Sequence, residues 1–233
     1  MAEQKKHDYI SITYDISRAP KAEYPLRLVE YLMKRFRLKP GYRLLDVGCG
    51  RGDMLEAFSN NGFVCHAVDK SLSTIENIDK NFEIKLLDLE KESLPYPENY
   101  FDIIFSKSVI EHMWDPFFLM SEIHRVLRPG GMCIMMTPDW ISQMKTFYED
   151  PTHCRPFVTD SLRDLLLISN FKDVQTELFF QHHLIWYYPF FRYLAFLLRV
   201  FLSTRKARKL TELTKIQFFR WAVELMVLGT GIK

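Results

Sequence analysis

Apolar positions over residues 22 to 37 (AEYPLRLVEYLMKRFR) recur at helical spacing, placing Leu28, Tyr31, Leu32 and Phe36 on one face, and Pro40-Gly41 closes the segment. This predicts a leading amphipathic helix. From residue 43 the pattern changes. Arg43 to Val47 is a short, nearly continuous apolar run, as a strand buried on both faces of a parallel sheet requires. Helical spacing over 53 to 60, an Asn61-Gly62 turn and a second strand from Phe63 to Val68 follow. The alternation repeats with a helix over 71 to 80, a strand over 82 to 87, strand Phe101 to Phe105, helix Asp115 to Leu127, a Pro129-Gly130-Gly131 turn and strand Met132 to Thr137. Five strand-like runs separated by helices predict βαβ units and a doubly wound, mainly parallel sheet.

Beyond that alternation, residues 138 to 158 read as a loop rich in Pro, Asp and Thr. Thr159 to Ser169 reads as a helix capped by Thr159 or Asp160, and Phe171 to Phe180 and Leu225 to Ile232 read as two further strands. More than 40 residues of aromatic and basic helix separate those two strands. The chain therefore divides into an N-terminal helical segment (1–42), an α/β core (43–180), a helical insertion (181–224) and a last strand of the core sheet (225–233).

Composition narrows the class. A chain of 233 residues, 48% hydrophobic and 26% charged, is globular and large enough for one decorated α/β domain. The net charge of +2 does not suggest a nucleic-acid binder. It hides a split, because residues 1–180 carry 22 Lys and Arg against 27 Asp and Glu, whereas residues 181–233 carry 9 against 2. Cys49, Cys65, Cys133 and Cys154 have neither zinc-site nor disulfide-framework spacing, which fits a reducing, cytoplasmic setting. The opening MAEQKKHDYI lacks the apolar run of a secretory signal, and the only stretch near membrane-spanning length, 184–202, is interrupted by Pro189, Arg192 and Arg199.

The chemistry concentrates in Leu44-Leu45-Asp46-Val47-Gly48-Cys49-Gly50-Arg51-Gly52-Asp53, a strand running into a glycine-rich turn and a helix. Open α/β sheets bind ligands at the carboxyl ends of their strands, beside such turns. A dinucleotide fingerprint needs GxGxxG, but the spacing here is GxGxG with Asp53 in the third glycine's place, and the GK[ST] of a phosphate loop is absent. Asp46 at the strand end would repel a pyrophosphate and favour a cation. S-adenosylmethionine carries an ammonium and a sulfonium.

With these residues the sequence resembles the class I S-adenosylmethionine-dependent methyltransferases, particularly a small-molecule or glycan-pathway branch, in order from about residue 43 to residue 180. LLDVGCGRGD matches the family's first motif. The resemblance implies a seven-stranded sheet and S-adenosylmethionine as cofactor, bound by Asp46, Gly48, Cys49, Gly50, Gly52, Asp69, Lys70, Asp88, Leu89 and Ser106. Asp69, 17 residues after Gly52, stands where the family's acid takes both ribose hydroxyls. Asp88 and Leu89 stand where the adenine is contacted. Tyr100 to Ser106, Val109-Ile110-Glu111-His112 and Arg125 to Gly131 match later pieces of the pattern, and the RPGG turn is assigned no chemistry.

Methyl transfer is an in-line displacement that gains most from positioning, and a hydroxyl acceptor gains further from a base such as histidine. His7, His66, His124, His182 and His183 fall away from the expected rim or in the tail, leaving two candidates. His153 lies in a DPTHCRPF loop after the fifth strand that resembles an acceptor-facing loop of glycan-pathway methyltransferases. His112 follows Glu111, where the family often places Glu-His beside the methyl group. Glu111 and Arg155 are candidate acceptor contacts. No third metal ligand is evident, so no metal is expected. The implied function is O-methylation of a sugar, glycan or other small-molecule hydroxyl, lipid-linked or free. The alternatives are a quinone- or lipid-like acceptor, or a cofactor-binding but inactive regulatory subunit. Trp186 to Phe201 combine aromatic residues with Arg192, Arg199 and Lys206 at intervals of seven, so residues 184–210 are either a peripheral membrane contact at an inner membrane face or a packing surface.

Overall fold

The computed structural model describes residues 23–71, 82–188 and 190–233. The helix expected over 71–80 lies almost wholly outside them. The leading helix, α1 (Tyr24–Phe36), starts with Pro25 in its first turn and stops at Arg37, whose φ of 54° is left-handed, before Pro40 is reached. Strand β1 (Arg43–Val47) leads into α2 (Asp53–Asn60), β2 (Val64–Asp69), β3 (Glu83–Leu86), β4 (Phe101–Lys107), a 3-10 turn at Ile110–His112 and α3 (Pro116–Val126). Asp115 caps α3, its carboxylate accepting from the Phe117 amide at 2.9 Å.

Strand β5 extends from Leu127 to Pro138, further than expected. The Pro129-Gly130-Gly131 segment is absorbed into it as an irregularity, across which pairing with β4 shifts from Phe101–Leu127 to Ile103–Met132. The 138–158 segment contains α4 (Trp140–Gln143) and a 3-10 turn at Phe147–Glu149. Helix α5 (Thr159–Ile168) begins one residue before its expected caps: Val158 is the N-cap, and its amide donates to the Ser161 hydroxyl at 2.9 Å. The remaining elements are β6 (Lys172–Phe179), α6 (His183–Tyr187), α7 (Phe190–Phe201), α8 (Thr204–Thr214), α9 (Phe218–Trp221) and β7 (Met226–Ile232).

The seven strands form one sheet in the order β3-β2-β1-β4-β5-β7-β6, parallel except that β7 runs antiparallel to both β5 and β6. Strand alternation feeds two cores. Leu45, Ile104, Met135 and Val227 face α3 and α5, while Leu44, Ile103, Ile134 and Leu228 face α1 and α2. All four cysteines are free. Among the described residues no helix is long and apolar enough to cross a membrane.

The insertion folds back on the core. The Thr204 hydroxyl donates to the Ser142 carbonyl, Arg205 and Arg208 pair with Glu149, and the Trp186 and Trp221 rings sit 6.1 and 4.9 Å from Tyr24 of α1.

Helix α5 packs closely on β7 because residue 229 has no side chain. A Cβ there would lie 2.7 Å from Leu162 Cδ2 and 3.1 Å from Leu166 Cδ1, both from fully buried leucines that have nowhere to go. Gly229→Ala is therefore expected to cost about 1–3 kcal/mol of stability, the usual range for overpacking. A lowered denaturation midpoint at unchanged m-value is the expected readout, and an unchanged midpoint would refute this account of the α5–β7 contact.

Candidate active site

Strand order reverses between β1 and β4, so the chain leaves their carboxyl ends in opposite directions and opens a crevice there. A cavity of about 290 Å³ occupies it. The β1–α2 turn forms its floor through Gly48 and Gly50, and Gly48, Gly50 and Gly52 along it have φ of 73°, 53° and 79°. At Gly48 substitution is doubly barred, since an added Cβ would also meet Val109 Cγ2 at 2.3 Å. Asp69, at the end of β2, holds the turn in place: its two carboxylate oxygens accept from the Gly50 amide at 2.8 Å and the Ser71 amide at 2.9 Å.

Of the expected cofactor residues, Asp46, Gly48, Cys49, Gly50, Asp69, Lys70, Asp88 and Leu89 line the cavity. Gly52 does not; its place is the N-cap of α2. Ser106 does not either, because along β4 Phe105 and Lys107 face the cavity and Ser106 points to the other side, where its hydroxyl donates to the Val47 carbonyl at 3.1 Å. Asp88 accepts from the Glu90 amide and pairs with Lys91, which lowers its pKa.

Asp46 is buried and its Oδ2 has no hydrogen-bond partner. Burial, followed by the nearby Asp69 charge, pushes its pKa up to about 8, against the pull of Lys107. Asp53 Oδ1, also on the cavity wall, is similarly unpartnered. A burial cost of this kind is relieved by a cationic ligand, and the donor set suits an ammonium or sulfonium better than a phosphate.

At the opposite wall the two candidate histidines are together but unequal, with rings 4.7 Å apart. His112 lines the cavity; His153 does not. The Thr152 hydroxyl donates to Asp150 Oδ1 at 2.6 Å and so accepts from His112 Nδ1–H at 2.8 Å, which leaves the lone pair of a neutral His112 on Nε2. Burial, and then His153, pushes the His112 pKa down to about 4, so it is neutral near pH 7. His153 sits behind it, Nδ1–H donating to the Phe147 carbonyl at 2.7 Å and its ring against Phe147. Its expected place facing the acceptor is corrected: the Glu111 carbonyl accepts from the amides of Cys154 and Arg155 and draws the loop inward.

The other two expected acceptor contacts are also displaced. Arg155 does not line the cavity; its guanidinium donates to the Trp114 carbonyl. Glu111 is fully buried behind the wall, accepting from Thr137 Oγ1 at 3.0 Å through Oε2, with Oε1 unpartnered. Burial pushes its pKa up to about 7. The expectation of no metal rested on the lack of a third donor, and the fold supplies one: donor atoms of Glu111, His112 and His153 lie within 4.8 Å of one another.

Three wall residues escaped the sequence reading. Tyr24 has a buried, unpartnered hydroxyl; it continues the apolar stripe of α1, and periodicity marks it only as core. Lys107, whose pKa burial lowers, faces the cavity near Glu111, Asp53 and Asp46. Thr152 was passed over beside His153.

Comparison with known proteins bears on this site directly. Residues 45–135, which hold the glycine turn, Asp69, Asp88 and His112, match the family described as a methyltransferase domain. This segment resembles a methyltransferase domain. The chain is 27% identical over 114 residues to a ubiquinone/menaquinone biosynthesis C-methyltransferase, UbiE, of Burkholderia multivorans, covering 46% of this chain and 47% of that protein. It is 28% identical over 134 residues to a probable S-adenosylmethionine-dependent methyltransferase of Mycobacterium tuberculosis, covering 56% and 49%. The matches thus span about half the length of these relatives. A SAM-dependent methyltransferase from Archaeoglobus fulgidus shares the fold at a TM-score of 0.62 and 23% identity, covering 88% of this chain and 94% of its own. The chain shares the Rossmann-like fold of these S-adenosylmethionine-dependent methyltransferases.

The buried Glu111 makes a stability prediction. Unfolded, it ionises near 4.5; folded, near 7, so between these values the native state holds one more proton and stability falls as pH rises. Glu111→Gln, which can still accept from Thr137, removes this loss. Its stability relative to the parent is expected to rise from pH 4.5 to pH 8 by on the order of 3 kcal/mol. Denaturant titrations across that range measure it, and a pH-independent difference would contradict the burial argument.

Proposed function

We propose that the protein transfers a methyl group from S-adenosylmethionine to a hydroxyl oxygen of a small molecule, a sugar or glycan hydroxyl being the first class to test. The observation that carries this reading is the pairing, across one cavity, of the orphaned carboxylate of Asp46 with the neutral imidazole of His112. The cofactor supplies an electrophilic methyl on a sulfonium. The Gly48-Cys49-Gly50 turn lets it approach the backbone, Asp69 takes the ribose hydroxyls on lone pairs its two amide contacts leave over, and Asp88, Leu89 and Lys70 flank the adenine end. Asp46 faces its positive charge.

His112 Nε2 accepts the acceptor's hydroxyl proton. A histidine with pKa near 4 is a weak base in water, but a hydroxyl oxygen that is gaining a methyl becomes an oxonium far more acidic than imidazolium, so the proton passes to Nε2 late in bond formation. His153 is a positioning residue that packs on the His112 ring. Lys107 brings the one basic side chain on β4 to the same wall, where it favours an acceptor bearing negative charge.

A second reading, a quinone- or lipid-like acceptor methylated at oxygen or carbon, is supported by the UbiE relatives and by the apolar wall of Tyr24, Met54, Val109 and Met113. Release of S-adenosylhomocysteine, measured over panels of sugars, lipid-linked glycans and quinols, separates the two. Binding of S-adenosylmethionine with no turnover on any panel would favour a regulatory subunit.

If Asp46 must be ionised to bind the cofactor cation, affinity rises with pH below about 8, at most about tenfold per pH unit. Calorimetry from pH 6 to 9 is expected to show this for the parent and a flat, weaker profile for Asp46→Asn. Parallel profiles would remove Asp46 from the binding site.

His112→Ala is expected to lower kcat by about 10² or more with cofactor affinity nearly intact, and His153→Ala to lower it less. The reverse order would return the base to His153. Chelator treatment leaves turnover unchanged on this reading; loss of turnover that added divalent metal restores would make His112 a metal ligand beside Glu111 and His153.

A further inference from the structure

Helix α7 is apolar around nearly its whole circumference, and the fold uses only part of it. Phe191, Ala195 and Leu198, spaced as one stripe, pack with Ile185, Phe218 and Ala222. On the other side Phe190, Tyr193, Phe196, Leu197, Val200 and Phe201 are between 52% and 76% exposed. At 3.6 residues per turn these outward residues cover an arc of about 140°, and Arg192 and Arg199 lie along one edge of it. The exposed aromatic and aliphatic surface is on the order of several hundred Å², the scale that marks an interaction site rather than a stray surface residue. Arg192, Arg199, Lys206 and Lys209 have no acidic partner among the described residues, whereas the neighbouring Arg205, Arg208 and Arg220 are paired with Glu149 and Glu224.

We propose that the outward face of α7 lies in the surface of an anionic lipid bilayer, with Arg192, Arg199, Lys206 and Lys209 held by its headgroups. Length decides the orientation. Twelve residues span about 18 Å, well short of a hydrocarbon core of about 30 Å, so the helix lies along the membrane rather than across it. Charge decides the partner. In a two-fold dimer through this face the same patch would meet itself, and the second copy would bring the same basic edge and no acidic complement to it. Residues 181–233 carry 9 basic against 2 acidic side chains, an excess that anionic headgroups neutralise and a second copy does not. The arginine stems can rest on the apolar face while their guanidinium groups reach the headgroups.

This surface is joined to the methyltransferase cavity. Trp186 and Trp221, from helices α6 and α9 whose Ile185 and Phe218 pack with the inner stripe of α7, both pack on Tyr24, which is itself a cavity wall. The inference does not depend on which acceptor is methylated.

The test is co-sedimentation of the full chain with phosphatidylcholine vesicles and with vesicles containing phosphatidylglycerol, at low and high salt. Binding is expected to the anionic vesicles, weakening at high salt, with little binding to the zwitterionic ones. Tyr193→Glu/Phe196→Glu, which puts charge on the apolar face, is expected to lower the partition at least tenfold; Arg192→Gln/Lys206→Gln/Lys209→Gln is expected to remove the preference for anionic lipid. Cofactor affinity, unchanged in both variants, shows that they are folded. Failure of the parent to bind anionic vesicles at low salt overturns the proposal. So does equal binding by the apolar-face variant, which would mean contact without insertion. A parent dimer that dissociates in Tyr193→Glu/Phe196→Glu, with no vesicle binding, would assign the face to a second copy.

Discussion

The site depends on one carboxylate, Asp69. It stands at the end of β2, next to the strand that leaves the switch point, and its two oxygens tie the Gly50 amide on one side to the Ser71 amide on the other. That clasp joins the backbone bonds that hold the Gly48 to Gly52 segment, with its three left-handed residues, in which the Gly48 and Cys49 amides donate to the Val68 carbonyl and the Gly52 amide to the Cys49 carbonyl. With it, the turn presents backbone to the cavity and brings Asp46 and Asp69 together. Two carboxylates in a buried corner repel each other, which is part of why Asp46 holds its proton so strongly. A corner built this way is costly for the free protein and favourable for a cation. The glycines make the turn sterically allowed; the acids give it a ligand preference.

The opposite wall is organised by Glu111, although its side chain never reaches the cavity. Its carbonyl gathers the 150–156 loop through Cys154 and Arg155, its carboxylate takes the Thr137 hydroxyl from β5, and the adjacent His112 is turned toward the cavity. Thr152 and Asp150, from the same loop, then set which nitrogen of His112 carries a proton. Loop and turn thus fix each other, and the imidazole is oriented before any acceptor arrives, which is where most of the advantage in a displacement reaction lies.

The sheet was legible because parallel strands buried on both faces must be apolar throughout, and β1, β4 and β5 follow that rule closely. The glycine-turn half of the cavity was legible for a related reason: a glycine turn followed at fixed spacing by acids at strand ends leaves few geometries to choose from. What failed was orientation. Ser106 and Lys107 are neighbours on a strand, and pleating sends them to opposite faces, so the residue chosen by resemblance points away and the one passed over lines the cavity. Glu111 and His112 are neighbours in a 3-10 turn, where successive side chains diverge by about 120°, so only one of them can face the ligand. His153 and Tyr24 were misread because their positions depend on contacts across the fold: the Phe147 carbonyl for one, the insertion's tryptophans for the other. No local pattern encodes either.

The insertion between β6 and β7 shows how such a fold acquires a new surface without disturbing its sheet. The antiparallel pair β6–β7 needs only a connection, and here the connection has its own small core around Ile185, Ala195, Phe218 and Ala222. That core accounts for one stripe of α7. The opposite stripe contributes nothing to folding and, as exposed aromatic surface, works against solubility, so its retention is not explained by stability of the monomer. Ion pairs from Arg205 and Arg208 to Glu149 nevertheless hold α8, and with it the end of α7, against the segment that follows β5. A helix fixed to the domain, with its inner face satisfied and its outer face left apolar beside cations that have no acidic partner among the described residues, has the properties of a mount: rigid toward the domain and adhesive toward something outside it.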